Sequence, residues 1–447
     1  MVRRLLTVGL RFAVQLFFRR IEVVGQDRVP PAGPTIFAIN HPNGLVDPAM
    51  VLCFTTRPVS FLGKAPLFAM PLIGWFARAL DSIPVYRRHD AGSDPAQNRE
   101  TFAKARALLE RGGILAIAPE GTSHSDPKLR PIKTGAARIA LGAGTSTPTT
   151  IVPVGVFYTA KGTFRSSALI VFGDGLAVSP VSLDLNGEPA SEVVNQVTER
   201  LQAALSAVVL EADDHETHAL VVRAERLATG ALPDPTDRSL GDVHAVRQRL
   251  LAGYRTLRAE EPVVLDRLVR RIDRLENAFR EAHLDPALPT TNSVTVSDLF
   301  RAGWWLLIRI VIFLPLALPG LVGHFPGYLL IKFLVPRLVK EADLLATAKI
   351  IGGAIFYPLT WLGLSLLVGS RYGLVAGIVA LVVAPLSGYA ALKLAERFDR
   401  FVSATRALGL YLTRPERIAR LTEERVAVRQ ELLALASRLE PNRPATR

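Results

Sequence analysis

The sequence predicts a mostly parallel α/β domain flanked by helices, then a helical region, then a C-terminal membrane hairpin. Three observations carry that expectation. From about Ile21 to Val178, short apolar runs alternate with helical patterns. From about Ser191, longer polar–apolar helical patterns take over. Beyond Gly303 the chain turns apolar, and 350–369 and 372–392 run for 20 and 21 residues without a charge. About 20 apolar residues span a bilayer. At 447 residues the chain has room for two or three domains. The boundaries expected are 1–20, 21–185, 186–300, 301–395 and 396–447.

The first segment is apolar but studded with arginines. Arg4, Thr7, Arg11, Gln15 and Arg19 recur at steps of three or four, a polar stripe on a helix. Leu6, Leu10, Ala13, Leu16 and Phe17 lie off it. Arg11 interrupts the apolar run and no small-residue cleavage site follows Arg19-Arg20, so this is not read as a signal peptide. An amphipathic helix lying in the membrane interface is expected, on anionic lipid because of its arginines.

Within the α/β domain, strands are expected at Pro34–Ile39, Val59–Leu62, Ser82–Tyr86, Ile114–Ala118, Ile151–Val156 and Ala168–Phe172. Helices are expected at Asp94–Arg111 and Lys133–Gly144. Apolar runs broken by helices imply a sheet covered on both faces, with polar residues gathered at strand ends.

In the helical region, Leu265, Leu268, Ile272, Leu275 and Phe279 keep heptad spacing. So do Ile418, Leu421, Val428, Leu432, Leu435 and Leu439, with Arg425 breaking the seam. Thr413 and Glu416 are spaced as a capping box ahead of the second. The two segments can pack on each other, on a bundle, or on a second copy of the chain.

In the membrane region, Ser370-Arg371 separates the two charge-free runs, which implies a tight hairpin. Lys349 and Lys393 flank its outer ends, so both ends are expected on the cytoplasmic side. Trp304–Val322 contains Arg309, Pro315 and Pro319, Tyr328–Val339 contains Lys332, and Pro326 lies between them. A re-entrant or interfacial pair fits them better than two clean spans.

Composition narrows the chemistry. The net charge is +13, which favours anionic partners. Arginines are dispersed and no stacking-aromatic motif accompanies them, so nucleic acid is not among the expected partners. Cys53 is the only cysteine, so no intrachain disulfide forms. The eight histidines lack ligand spacing, and no metal site is expected.

The most informative stretch is Asn40-His41-Pro42-Asn43-Gly44-Leu45-Val46-Asp47-Pro48. It places a histidine and an aspartate six positions apart, between a strand and a helix start. An imidazole whose tautomer is fixed by a carboxylate can deprotonate a hydroxyl. The alternative is that Asp47 merely caps the helix. Three further stretches accompany it: Ile83–Arg88, a strand ending in two arginines; Ala118–Asp126, a hydroxyl-rich glycine turn holding Glu120, Gly121, Thr122, Ser123 and His124; and Pro131–Ala137, with Lys133 opening a small-residue helix. Guanidinium groups and helix N-termini bind phosphate. A histidine base, phosphate-binding cations and a membrane hairpin together point to chemistry on a phospholipid precursor.

Asn40, His41 and Asp47, then Arg87, then Pro119-Glu120-Gly121-Thr122, then Val152-Pro153-Val154-Gly155 resemble, in order, the four motifs of the glycerophospholipid acyltransferase superfamily. The resemblance covers about Arg20 to Asp174. Five residues separate His41 from Asp47 where four are commonest, and Ser123-His124 follow Thr122 where the family commonly has Arg. Both departures resemble the subgroup of fungal glycerol-3-phosphate and dihydroxyacetone-phosphate acyltransferases, which also carry long C-terminal membrane regions.

The resemblance implies an α/β acyltransferase domain. His41 is expected as base and Asp47 as its orienter. Asn40, Arg87, Glu120, Gly121, Thr122, Ser123, His124 and Lys133 are the expected substrate contacts. Arg87 would hold the acceptor phosphate, and Glu120 would contact glycerol hydroxyls or order its loop. Lys133, His124 and Arg130 are candidates to replace the missing Arg. Acyl-CoA or acyl carrier protein is the implied co-substrate, with no other cofactor. Glycerol 3-phosphate is the implied acceptor; lysophosphatidic acid or another lysophospholipid is the alternative. A non-catalytic membrane scaffold is the rival of another class, and the intact His41 and Asp47 argue against it.

Overall fold

The computed structural model describes residues 2–86, 95–230, 238–282, 284, 296–413 and 415–439. The chain forms two compact units. One is Met1–His215 with Val339–Ile350; the other is Glu216–Leu338 with Ile351–Arg447.

The first unit contains α1 (Val2–Phe17), β1 (Arg20–Val24), β2 (Thr35–Ile39), α2 (Val46–Phe54), β3 (Val59–Lys64), α3 (Ala65–Ala69), α4 (Pro71–Ala79), β4 (Ile83–Val85), α5 (Pro95–Glu110), β5 (Ile114–Ile117), α6 (Gly135–Gly142), β6 (Thr149–Tyr158), β7 (Ser167–Phe172), β8 (Leu176–Val178) and α7 (Ser191–Val208). The strands form one sheet in the order β1-β7-β6-β2-β5-β3-β4, with β8 also on β6. The pairs from β6 through β4 are parallel, while β7 and β8 run antiparallel to β6. This is the mostly parallel, helix-covered sheet that the apolar runs imply.

Side chains alternate across β2 as a strand requires. Phe37 and Ile39 join a core with Val14, Phe17 and Met50 from α1 and α2. Ile36 and Ala38 join the opposite core with residues of α5, α6 and α7. Each of the larger side chains contributes about 1.5–3 kcal/mol when fully buried. Placing α7 with the helical region was therefore a misassignment: Val194, Val197 and Leu201 close the second face of the sheet. β1 escaped the sequence pattern because it is an edge strand that keeps two polar residues, and β8 because it is three residues long.

α1 has two apolar edges. Val14 and Phe17 are buried and Leu10 packs beside them. Val2, Leu5, Val8 and Phe12 stay exposed along a second edge. The helix thus packs on the domain and still presents an apolar strip.

The second unit holds α8 (His215–Gly230, whose first residue belongs to the first unit), α9 (Leu240–Glu260), α10 (Pro262–Glu281), α11 (Val296–Leu338), the part of α12 (Leu345–Tyr372) from Ile351 onward, α13 (Leu374–Thr413) and α14 (Pro415–Leu439). The two heptad seams pack on each other: Leu268, Ile272, Leu275 and Phe279 share a core with Leu421, Val428 and Leu432. Arg425 does not break that seam. It is fully buried, its guanidinium 5.5 Å from the Phe279 ring centre. α13 runs on to Thr413, whose hydroxyl donates back to the Gly409 carbonyl; the expected capping box turns on Arg414, which lies outside the described residues.

Among the described residues, three helical stretches are long and apolar enough to cross a membrane: Ile310–Leu338, Leu345–Tyr372 and Leu374–Asp399. The last two meet at Gly373, not at Ser370-Arg371. Instead of two pieces, Trp304–Val339 lies almost wholly in α11, which continues through Pro315, Pro319 and Pro326. Along α13, Gly303 lies against Phe401 and Gly320 packs on the Ser387 carbonyl. From α12, Leu364 meets Gly323, Trp361 donates to His324, and Phe356 packs on Gly327. The small residues of α11 thus let both neighbours approach its backbone, and its prolines, which lack N–H donors, are accommodated within one helix.

Candidate active site

The parallel strands β2 and β5 lie side by side and end at Ile39 and Ile117. The loops leaving those ends carry the candidate residues, where open α/β sheets build their sites.

Asn40 continues β2 but faces β6. Its amide accepts from the Val156 N–H at 2.7 Å and donates to the Val156 carbonyl at 3.2 Å. It was expected to touch substrate; both ends of its amide instead pin the catalytic loop to the sheet. His41 follows, and its Nδ1 lies 2.9 Å from Asp47 Oδ2. The His41 side chain is 17% exposed and that of Asp47 only 1%. With Nδ1–H donating to the carboxylate, Nε2 carries the lone pair.

Asp47 sits in the first turn of α2 and does not cap it; the cap position is Leu45. The Asn43 N–H donates to Asp47 Oδ2 at 2.7 Å, and the Tyr158 hydroxyl donates to Oδ1 at 2.6 Å. These two donors are uncharged, and with His41 they occupy both oxygens of a buried carboxylate. Burial, with the Asp47 charge beside it, pushes the Tyr158 phenol well above its usual range. It stays a donor at any working pH.

The loop after β5 is laced to this turn. Glu120 Oε1 accepts the His41 N–H at 3.3 Å, and the His124 N–H donates to the His41 carbonyl at 3.1 Å. Glu120 Oε2 takes the Arg130 N–H at 2.9 Å and lies 2.5 Å from His124 Nε2. Glu120 is buried, so of its two expected roles the geometry shows the ordering of the loop. His124 was a candidate substrate contact; its ring faces Glu120, and its Nδ1 accepts the Asp126 N–H. Arg130 is paired with Asp126 at 2.8 Å, and that guanidinium holds the Asp126 carboxyl below its usual range. Neither replaces the missing Arg.

Lys133 is better placed. A Cβ added at Gly121, which has φ +77°, would fall 2.5 Å from Lys133 Nζ, so the ammonium lies over the glycine. Only glycine combines that backbone angle with that approach. The Thr122 hydroxyl lies 3.3 Å from the Ser123 carbonyl. Arg87 lies outside the described residues.

Three participants were not expected. Tyr158 ends β6, which is parallel to β2 with Val154 opposite Ile39, so its last residues overrun β2 and reach α2. Lys161 donates to the Pro42 carbonyl at 3.0 Å and to the Ser125 hydroxyl at 2.6 Å. Burial pulls its ammonium below the usual range against the pull of Asp343, Asp47 and Asp126. The segment Val339–Ile350 packs on the same turn. A Cβ at Gly44 would fall 2.8 Å from Leu344 and 2.9 Å from the Asp343 carbonyl, and Lys349 donates to the Gly162 carbonyl at 2.6 Å. The aromatic end of the Ile151–Tyr158 run was the one signal for Tyr158 in the sequence.

A family model described as Acyltransferase matches residues 20–157. Glycerol-3-phosphate O-acyltransferase 2 of Saccharomyces cerevisiae is 28% identical over 294 residues, covering 62% of this chain and 39% of its own. Glycerol-3-phosphate O-acyltransferase 1 of the same yeast is 25% identical over 453 residues, covering 79% and 59%. A chloroplastic 1-acyl-sn-glycerol-3-phosphate acyltransferase of Arabidopsis thaliana is 26% identical over 145 residues, covering 32% and 38%. The chain thus spans well under two thirds of the length of these relatives. The matched stretch runs from β1 to Phe157, one residue short of the end of β6, and holds His41, Asp47 and Glu120, and the domain that carries it belongs to the glycerophospholipid acyltransferase superfamily.

Proposed function

We propose that this protein moves a fatty acyl group from an acyl thioester, carried by coenzyme A or acyl carrier protein, to a hydroxyl of glycerol 3-phosphate, a step of phosphatidic acid and phospholipid synthesis. The observation that carries the reading is the 2.9 Å His41–Asp47 pair at the end of β2. His41 Nε2 takes the proton of the acceptor hydroxyl as its oxygen attacks the thioester carbonyl. The C–S bond breaks, and the leaving thiolate takes up a proton. A positioned base contributes about 10²–10⁴-fold to such a step. Asp47 holds the ring and stabilises the imidazolium, as the carboxylate does in a serine-protease triad. Lys133 and Arg87 hold the acceptor phosphate.

The yeast relatives' names support glycerol 3-phosphate as acceptor, and the shorter plant match supports lysophosphatidic acid as the second reading. Purified enzyme in detergent, given labelled acyl-CoA or acyl carrier protein and each acceptor separately, decides between them. Transfer to glycerol 3-phosphate is expected. Transfer to lysophosphatidic acid alone overturns the acceptor, and transfer to neither overturns the function.

The membrane placement follows from the same chain. The exposed Val2, Leu5, Val8 and Phe12 suit the acyl boundary of a bilayer, with Arg4 and Arg11 beside them for anionic headgroups. α12 and α13 span the bilayer as a hairpin and α11 is re-entrant or interfacial, so the catalytic domain stays on the cytoplasmic side, where Lys349 and Lys393 lie. With Cys53 replaced by Ala, a Ser370→Cys variant should react with a membrane-impermeant thiol reagent in intact cells. Reaction only after lysis would overturn this topology.

A further inference from the structure

We infer that Tyr158 is the positioning residue that fixes the Asp47 carboxylate and thereby governs how readily the His41 ring gains a proton. The inference rests on His41 being the base of the proposed reaction. Asp47 Oδ2 is already occupied by the Asn43 N–H and by His41 Nδ1. Oδ1 receives the Tyr158 hydroxyl at 2.6 Å, a charge-assisted bond of the strong kind. With Asp47 only 1% exposed, water does not replace that donor. Two consequences follow. The bond at Oδ1 fixes the carboxylate plane, so Oδ2 stays aligned with Nδ1. It also draws negative charge toward Oδ1, which lessens the pull on a proton at the imidazole.

The tyrosine is itself held. Its ring lies 5.3 Å from that of Phe18, which lies 4.9 Å from Phe17 at the end of α1. Its hydroxyl proton is committed to Asp47. The other charged or titratable groups around the pair are Glu120 on the His41 N–H, His124 on Glu120, Lys161 on the Pro42 carbonyl, and Asp126 and Asp343, which act on Lys161. None of them donates to Oδ1.

The test is Tyr158→Phe, which removes one oxygen and keeps the ring. With Oδ1 bare, more negative charge faces the imidazole, and the protonated ring is favoured. The acidic limb of the kcat/KM profile should move to higher pH by about half a unit or more, and kcat should fall about tenfold, the scale of a lost hydrogen bond to a charged group. KM for both substrates should stay within about twofold. A folded variant with an unmoved acidic limb overturns the inference, because a tyrosine that only packs would leave it in place. If Tyr158→Phe does not fold, difluorotyrosine at position 158 keeps the ring and donates more strongly. The limb should then move to lower pH, and an unmoved limb again overturns the inference. Histidine-ring NMR titration of the unliganded protein, with His41 assigned from His41→Ala, reads the same shift without turnover. A shifted His41 titration in an enzyme that acylates neither acceptor sinks the function and sustains the role of Tyr158. An unshifted one in an active enzyme does the reverse.

Discussion

Both units of this molecule bury a carboxylate, and they neutralise it differently. In the helical unit, Glu225 on α8 faces Arg247 on α9, with Arg247 Nε and NH2 at 3.1 and 2.8 Å from one oxygen and the Thr229 hydroxyl at 3.0 Å from the other. In the sheet unit, Asp47 is surrounded by an N–H, a phenol and an imidazole. A guanidinium stays charged at every working pH. Glu225 therefore has its charge cancelled and none left for chemistry. Neutral donors surround Asp47, and among the groups bonded to it the one able to become cationic is His41; the Lys161 ammonium acts on it only through space. Partner type, more than burial, separates the working carboxylate from the structural one.

The contrast breaks most visibly at His41. His41→Ala should lose about 10²–10⁴-fold in turnover with its melting transition retained, and Asp47→Asn should be severely impaired. Retention of more than about a tenth of turnover by folded His41→Ala would remove the base. Arg247→Ala should do the opposite. It leaves Glu225 buried without its cation and should cost about 3–5 kcal/mol in denaturant unfolding, while kcat per folded molecule stays within about twofold. A matching loss of kcat would erase the distinction between the two carboxylates.

Smaller effects sharpen the site. Arg87→Ala and Lys133→Ala should each raise KM for the phosphorylated acceptor by about tenfold, the scale of a charge-assisted bond, with little change for the thioester. Lys at position 87 should rescue only in part, since it offers a point charge in place of a planar fork. Equal shifts for both substrates would argue against phosphate binding. The smallest effect is at Cys53, whose thiol burial pushes up to about 12. Its thiolate is scarce at pH 8, so alkylation should be negligible until the protein unfolds. Rapid labelling of the folded protein would show the first core to be open.

What the sequence made legible follows local rules. His41, Asp47, Glu120 and Gly121 lie at strand ends within short motifs, and turn chemistry marks them. Tyr158 and Lys161 reach the site only because β6 lies beside β2 and overruns it, a register that no local pattern encodes. Asn40 and His124 looked like ligand contacts because polar residues in a catalytic loop serve either purpose, and the choice is made by Val156 and Glu120. The charge-free runs announced two long apolar helices, α12 and α13. The prolines of Trp304–Val339 suggested a break, yet α11 runs on through them, because its path depends on which neighbours Gly320 and Gly327 meet.

Gly44 bears on how this protein can be dissected. Its backbone, at φ +44°, is pressed by Leu344 and Asp343, residues that follow it by some three hundred positions and lead into a membrane helix. The family match stops at residue 157, which invites expression of the front of the chain as a soluble catalytic module. Such a module would expose the catalytic turn on the side where Leu344 and Ala346 now cover it. A minimal enzyme must therefore carry that short distant segment, supplied as a peptide or grafted behind α7, before its activity speaks for the whole.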